Sequence, residues 1–199
     1  VSSTKRQQIL EGMLDVVGED GYEGASVRAV LARTGLYRQA FYDNFSDRES
    51  CYIDAFELGV AQLEALACAA ADGEETWQGK LRAGLGALLE SFESDPRLGR
   101  ALIVEVHSAG PEALKRRAKA MKRIEDFIDS AREDSASLES PPPIAAEGIV
   151  AGMHAVVHAR LAAGTEEGFR ELLPEFMYFA VLPYFGPDVA GAEMRAARV

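Results

Sequence analysis

Apolar residues recur along this chain at spacings of three and four, and no segment alternates apolar and polar residues between turn signals as a half-buried strand would. The pattern predicts an all-α protein. Ile9, Leu10, Met13, Leu14 and Val17 share one face of a first helix of about four turns, capped near Ser3 or Thr4 and stopped in the run Gly18-Glu19-Asp20-Gly21. A short second helix starts from Ser26 and points Val27, Val30 and Leu31 inward. The turn Thr34-Gly35-Leu36 leads at once into a third short helix, with Phe41 and Phe45 one turn apart on its inner side. Asp47 is placed to cap a long fourth helix, about Arg48 to Ala70, that turns Tyr52, Phe56, Leu63 and Leu66 to the core.

Asp72-Gly73 ends that helix, and the next carries Trp77, Leu81, Leu85, Leu88 and Phe92. Asp95-Pro96 reads as a cap followed by a first-turn proline, opening a helix with Leu98, Leu102, Ile103 and Val106. After Gly110-Pro111 comes a basic helix with Leu114, Met121, Ile124 and Ile128 facing in, then an exposed loop from Asp134 to Pro143. The last two long helices differ from the rest. Ile144 to Ala163 is dense in alanine, glycine and valine, and Phe169 to Phe185 in aromatics, with Pro174 marking a kink or a late start. Both are apolar nearly all round, so a second copy of the chain is the natural cover, and a homodimer through these two helices is expected.

Composition adjusts this picture. A hydrophobic content of 48% in 199 residues suits a packed core, and no apolar run is long enough to span a bilayer, so no membrane association is expected. The first residues lack the basic-then-apolar order of a secretory signal, and the only cysteines, Cys51 and Cys68, sit in helical, apolar surroundings as small buried hydrophobes. A cytoplasmic protein is expected. The net charge of -11 argues against nucleic-acid binding through general basicity. Residues 1 to 50 are milder, with six cations against eight acids. Any DNA binding must therefore rest on where a few cations sit.

Two short helices joined by a glycine-containing turn form a helix-turn-helix, whose second helix fits the major groove. With Phe41 and Phe45 inward, Gln39, Tyr42 and Asp43 turn outward and Arg38 stands at the helix start. Arg38 can pair with guanine or phosphate, Gln39 can reach a base edge, and Tyr42 can donate to phosphate or lie on a thymine methyl. Asp43 repels phosphate and is expected at the flank of the contact.

The run Gly21-Tyr22, Ala25-Ser26-Val27, Thr34-Gly35-Leu36, Ala40-Phe41-Tyr42, Phe45 and Asp47-Arg48-Glu49 resembles the DNA-binding domain of the TetR (tetracycline-repressor-type) family, over residues 5 to about 55. The resemblance implies that Ser26, Tyr37, Tyr42, Asn44 and Arg48 lie near phosphates, with Arg28, Arg38 and Gln39 as base readers. It divides the chain into a DNA-binding domain, 1–46, and a helical effector-binding and dimerisation domain, 47–199, which resembles the family more loosely. The implied function is a ligand-responsive transcriptional regulator, most simply a repressor, that binds a palindromic double-stranded DNA operator as a homodimer. Tyr37 stands where the family usually has a small capping hydroxyl residue, and Gln39 replaces a common glycine, so this chain departs from its relatives at the start of the recognition helix.

Other features have plainer readings. Lys115, Arg116, Arg117, Lys119, Lys122 and Arg123 make a cationic stretch, but Glu125, Asp126, Asp129, Glu133 and Asp134 follow closely and a solvated helix face is expected. His154 and His158, four apart, share a helix face, and with His107 they motivate an alternative reading as a helical metal-dependent enzyme. The residue after His154 is Ala155, not the glutamate of a zinc-hydrolase motif, so neither an enzyme nor any cofactor is expected. A small apolar or amphipathic effector would be drawn to a pocket between helices, with Trp77, Phe92, His107, Met121, Phe127, Met153 and His154 as its candidate lining.

Overall fold

The computed structural model describes residues 2–135, 140–165 and 168–198, and every regular element among them is helical, as the periodicity predicts. The elements are α1 (Ser2–Gly24), α2 (Val27–Thr34), α3 (Arg38–Tyr42), α4 (Arg48–Ala71), α5 (Trp77–Ser94), α6 (Pro96–Gly99), α7 (Pro111–Asp129), α8 (Ala131–Asp134), α9 (Ala145–Ala162) and α10 (Leu173–Ala196). A π turn, Arg100–Val104, and a 3-10 turn, Glu105–His107, continue α6 without a break. Of the loop expected at Asp134 to Pro143, positions 136–139 lie outside the described residues.

The chain packs as two compact units. The first joins Val1–Gln62 to Asp95–Ala118, and it contains the whole of the segment 1–46. Ile9, Met13 and Val17 of α1, Val30 of α2, Phe41 and Phe45 around α3, and Tyr52 and Phe56 of α4 are buried in it with Ala101, Leu102 and Val106. The buried Tyr52 hydroxyl donates to the Ala101 carbonyl at 2.7 Å, which satisfies the one polar atom of that side chain, and burial pushes its pKa up. α1 packs closely on α6: a Cβ on Gly18 would run into the Arg97 carbonyl. The helical path of α1 breaks at Gly21, at φ 75° and ψ 166°, a backbone that favours glycine, within the predicted stop.

The second unit joins Leu63–Ser94 to Lys119–Val199. Its core gathers Trp77 and Leu81 of α5, Ile128 of α7, Ile149 and Val150 of α9, and Met177, Val181 and Tyr184 of α10. Trp77 stacks on Phe127 with ring centres 6.0 Å apart, lies 5.7 Å from Phe185, and donates its indole N–H to the Phe127 carbonyl at 3.1 Å.

Several local expectations are corrected. α1 begins at Ser2, ahead of both proposed caps. Pro96 does sit in the first turn of α6, but Asp95 makes no cap hydrogen bond and its carboxylate faces the Arg97 guanidinium at 3.3 Å. Leu66, Leu114 and Ile124 are exposed, because helical spacing fixes which residues share a face but not how far the covering partner extends. Cys51 is buried as expected, whereas Cys68 is exposed near the end of α4. α10 starts late, with Pro174 in its first turn, and breaks at Gly186 (φ 80°) but resumes to Ala196, beyond the Phe185 at which composition had ended it.

Candidate nucleic-acid interface

The corner between α2 and α3 is built from short-range chemistry. Ser26 is the N-cap of α2, its Oγ accepting the Ala29 N–H at 3.2 Å. Gly35 closes α2 in the left-handed region (φ 68°, ψ 14°) and donates its N–H to the Leu31 carbonyl at 3.0 Å. Thr34 supports the same end, its hydroxyl donating to the Val30 carbonyl at 3.0 Å. Tyr37 precedes α3 with an extended backbone and no side-chain cap, and the residue is 86% exposed, so this helix starts without a capping hydroxyl. Phe41 and Phe45, 5.5 Å apart, are both buried and anchor α3 by its inner side. Asp47 caps α4: its Oδ1 accepts the Ser50 N–H at 2.8 Å while the Asp47 N–H donates to Ser50 Oγ at 3.3 Å. That backbone N–H, followed by the hydroxyls of Ser46 and Ser50, holds the Asp47 carboxyl below the usual carboxylate range.

The predicted contact residues divide into those that face outward and those held within the unit. Arg28, Tyr37, Arg38, Gln39 and Tyr42 are all exposed. Arg38 lies over the Tyr42 ring, 5.4 Å from its centre, and Gln39 Nε2 donates to Asp43 Oδ1 at 2.7 Å. Asn44 is half-buried and its amide donates to the Ala40 carbonyl at 2.8 Å, closing the C-terminal end of α3. Arg48 is half-buried as well. Its guanidinium lies 4.3 Å from the Tyr22 ring centre and donates to the Tyr22 carbonyl at 3.1 Å, pinning the last turn of α1 to the start of α4. Glu105 holds the same turn from another direction, its carboxylate accepting the Tyr22 N–H at 2.8 Å.

Local charge follows the same division. Arg6 pairs with Asp54 at 2.6 Å, and Arg33 with Glu19 and Asp15, so these cations are compensated within the unit. Among the described residues, neither Arg28 nor Arg38 pairs with a carboxylate. Those two positive charges therefore stand on the outward side of the helix-turn-helix of a strongly acidic chain. Sequence reasoning overlooked the Gln39–Asp43 bond, although its signal was there: glutamine and aspartate one helical turn apart reach each other.

No protein-family model matches the chain. Over 61 residues it is 43% identical to the HTH-type transcriptional repressor AcnR of Corynebacterium diphtheriae and, over the same length, 41% identical to AcnR of Corynebacterium glutamicum. Each match spans 31% of this chain and 32% of the relative, about a third of the length of the curated relatives. Solved structures cover nearly the whole chain. The fatty acid degradation regulator FadR of Bacillus halodurans superposes with a TM-score of 0.77 at 15% identity, over 90% of this chain and 94% of that one. A TetR family transcription regulator of Marinobacter aquaeolei does so with 0.67 at 20%, over 98% and 95%. The fold is the TetR fold.

Within this TetR fold, the candidate effector residues do not all gather. Trp77 lies in the core of the second unit, Met121 and Met153 are partly buried against that core, and Phe127, itself exposed, stacks on the Trp77 ring. Phe92 packs on Phe169, with ring centres 6.3 Å apart. His154 is half-buried on α9 with its ring 6.4 Å from that of His158, whereas His107 is exposed and belongs to the first unit. Among the described residues, no three histidine, cysteine or carboxylate side chains are grouped to hold a metal ion, so the alternative metal-enzyme reading has no geometric support. The basic stretch of α7 does find acids, but its interhelical partners lie on α4. Arg116 meets Glu57 at 2.5 Å and Arg123 meets Glu64 at 2.5 Å, seven residues further along each helix.

Proposed function

We propose that this chain is a DNA-binding transcriptional repressor that works as a homodimer and answers to an apolar or amphipathic small molecule. The observation that carries this reading is the outward surface of the helix-turn-helix, where Arg28, Arg38, Gln39 and Tyr42 are exposed together on a TetR fold. Segment 1–46 supplies the reading head. Arg28, Arg38 and Gln39 meet base edges, Tyr42, Tyr37 and Ser26 meet phosphates, and Asn44 and Arg48 brace the helix ends near the backbone they approach. Two such heads, roughly 34 to 36 Å apart on one face of a duplex, read a palindrome.

Dimerisation through α9 and α10 is supported by what one copy leaves uncovered: Ala151, Ala155, Val156 and Ala159 of α9 and Phe179 of α10 are exposed. The effector reading is supported by the aromatic rings gathered at Trp77, with Met121 and Met153 against the same apolar core, and by a structural neighbour. The FadR of Bacillus subtilis, similar over 89% of this chain with a TM-score of 0.75, was solved in complex with stearoyl-CoA, an amphipathic ligand. An effector acts by favouring a state whose two heads no longer match the operator. α4 is suited to carry this shift, since Arg48 to Gln62 packs in the first unit and Leu63 to Ala71 in the second. A regulator of this kind works beside its DNA, in the cytoplasm, and needs no cofactor for that work.

The test is DNA binding itself. Duplexes selected from the parent genome should bind with an affinity that falls steeply as salt rises. Replacing Arg38 and Tyr42 together by alanine should weaken binding by about 10- to 100-fold while the thermal midpoint stays in place. Retention of full affinity by that double variant would overturn the assignment of α3 as the reading helix.

A further inference from the structure

The outward side chains of α3 form two pairs, each spanning one helical turn. Arg38 and Tyr42 make one, with the guanidinium 5.4 Å from the ring centre. Gln39 and Asp43 make the other, with Gln39 Nε2 donating to Asp43 Oδ1 at 2.7 Å, and both residues are exposed. The chemistry of the second pair fixes more than its geometry. A carboxylate only accepts hydrogen bonds, so it can face the amino end of a glutamine amide but not the carbonyl end. An unrestrained glutamine presents its amide either way round. Beside Asp43 it is held one way, with Nε2 toward the carboxylate. One amide N–H is then used, and the other N–H and Oε1 remain for a base.

An adjacent donor and acceptor on one planar group match the major-groove edge of adenine, which offers N7 as acceptor and the N6 amino group as donor. Guanine offers two acceptors there, N7 and O6, and finds only one donor on this pair, with the carboxylate of Asp43 close by. We propose that Gln39 reads adenine at one position of each half-site and that Asp43 is its positioning residue, selecting the amide orientation and turning guanine away. This rests on the DNA-binding reading and adds a specificity to it.

The experiment is in vitro selection from duplexes of random sequence, using the full-length chain and its Gln39→Ala, Asp43→Ala and Asp43→Asn variants, each checked for an unchanged helical spectrum and melting midpoint. The native chain should enrich a palindrome with adenine at the same position in both halves, and Gln39→Ala should lose preference at that position alone. Asp43→Ala should keep the rest of the motif, while the ratio of adenine to guanine binding at that position falls by about 5- to 50-fold, within the range of one bidentate contact. Asp43→Asn keeps the size of the side chain but removes the acceptor-only chemistry. Its amide can donate as well as accept and so no longer selects one end of the Gln39 amide, and both overall affinity and the adenine preference should change as in Asp43→Ala. An enriched motif whose Gln39-dependent position is not adenine overturns the proposal, as does an adenine preference that Asp43→Ala leaves intact. If the native chain enriches no motif, the DNA-binding reading itself falls and takes this one with it.

Discussion

Asp47 shows how a single side chain joins local geometry to stability. Its carboxylate caps α4 at the Ser50 N–H, shortly after α3, so its protonation loosens the joint between the two. The folded-state pKa is lowered, which means that the cap stabilises the fold above the unfolded value and that this contribution is lost as pH falls through the folded one. The stability difference between the native chain and Asp47→Ala should therefore be full at neutral pH and should shrink between about pH 5 and pH 2. Urea midpoints of the two proteins across that range measure it, and a difference independent of pH would remove Asp47 from the account. Ser26 and Asp47 were legible as caps because capping is chemistry among neighbours in sequence. Asn44 and Arg48 were not legible in the same way. The resemblance implies that both lie near phosphates; what it does not give is that the Asn44 amide closes α3 and that the Arg48 guanidinium is held on Tyr22, a residue 26 positions away.

At the level of elements, the packing of α1 against α6 is set by a missing side chain. A methyl group on Gly18 would strike the Arg97 backbone carbonyl, which cannot swing aside as a side chain can. Gly18→Ala should therefore destabilise the first unit by about 1–3 kcal/mol, despite the better helix propensity of alanine. Its thermal and urea midpoints should fall, and an increase in either would mean that α6 can retreat. The sequence offered Gly18 only as part of a helix stop. Nothing local distinguishes a glycine that ends a helix from one that admits a neighbour, and here the path turns three residues later, at Gly21. The acidic partners of the α7 cations were legible only in part: Lys122 meets Asp126 of its own helix at 2.6 Å, as expected. Their own helix supplies nearby acids, yet Arg116 and Arg123 reach across to Glu57 and Glu64, 59 residues away in each case. These pairs are exposed, so they contribute little stability.

For the whole molecule, the proposed DNA binding has to work against a net charge of -11. One copy offers Arg28 and Arg38 on the outward side of its helix-turn-helix, and in the proposed homodimer two copies bound at once would multiply the weak affinity of each. Breaking the dimer should then cost far more binding than its distance from the DNA suggests. Val156→Glu combined with Phe179→Glu places charge on the uncovered face of α9 and α10. Sedimentation should show a monomer, and operator affinity should fall by about 100-fold or more. A double variant that sediments as a dimer would move the interface elsewhere. The amino-acid sequence by itself determined the helical class, the helix-turn-helix, most of its caps and the apolar character of the last two helices. These follow from residues within a turn or two of one another, where side-chain spacing and backbone preference act without reference to the rest of the chain. Tertiary structure decided which charges remain available. Arg6 and Arg33 look as able to bind phosphate as Arg28 and Arg38 until Asp54 and Glu19 are brought against them. That pairing depends on distances between helices, which no local pattern encodes.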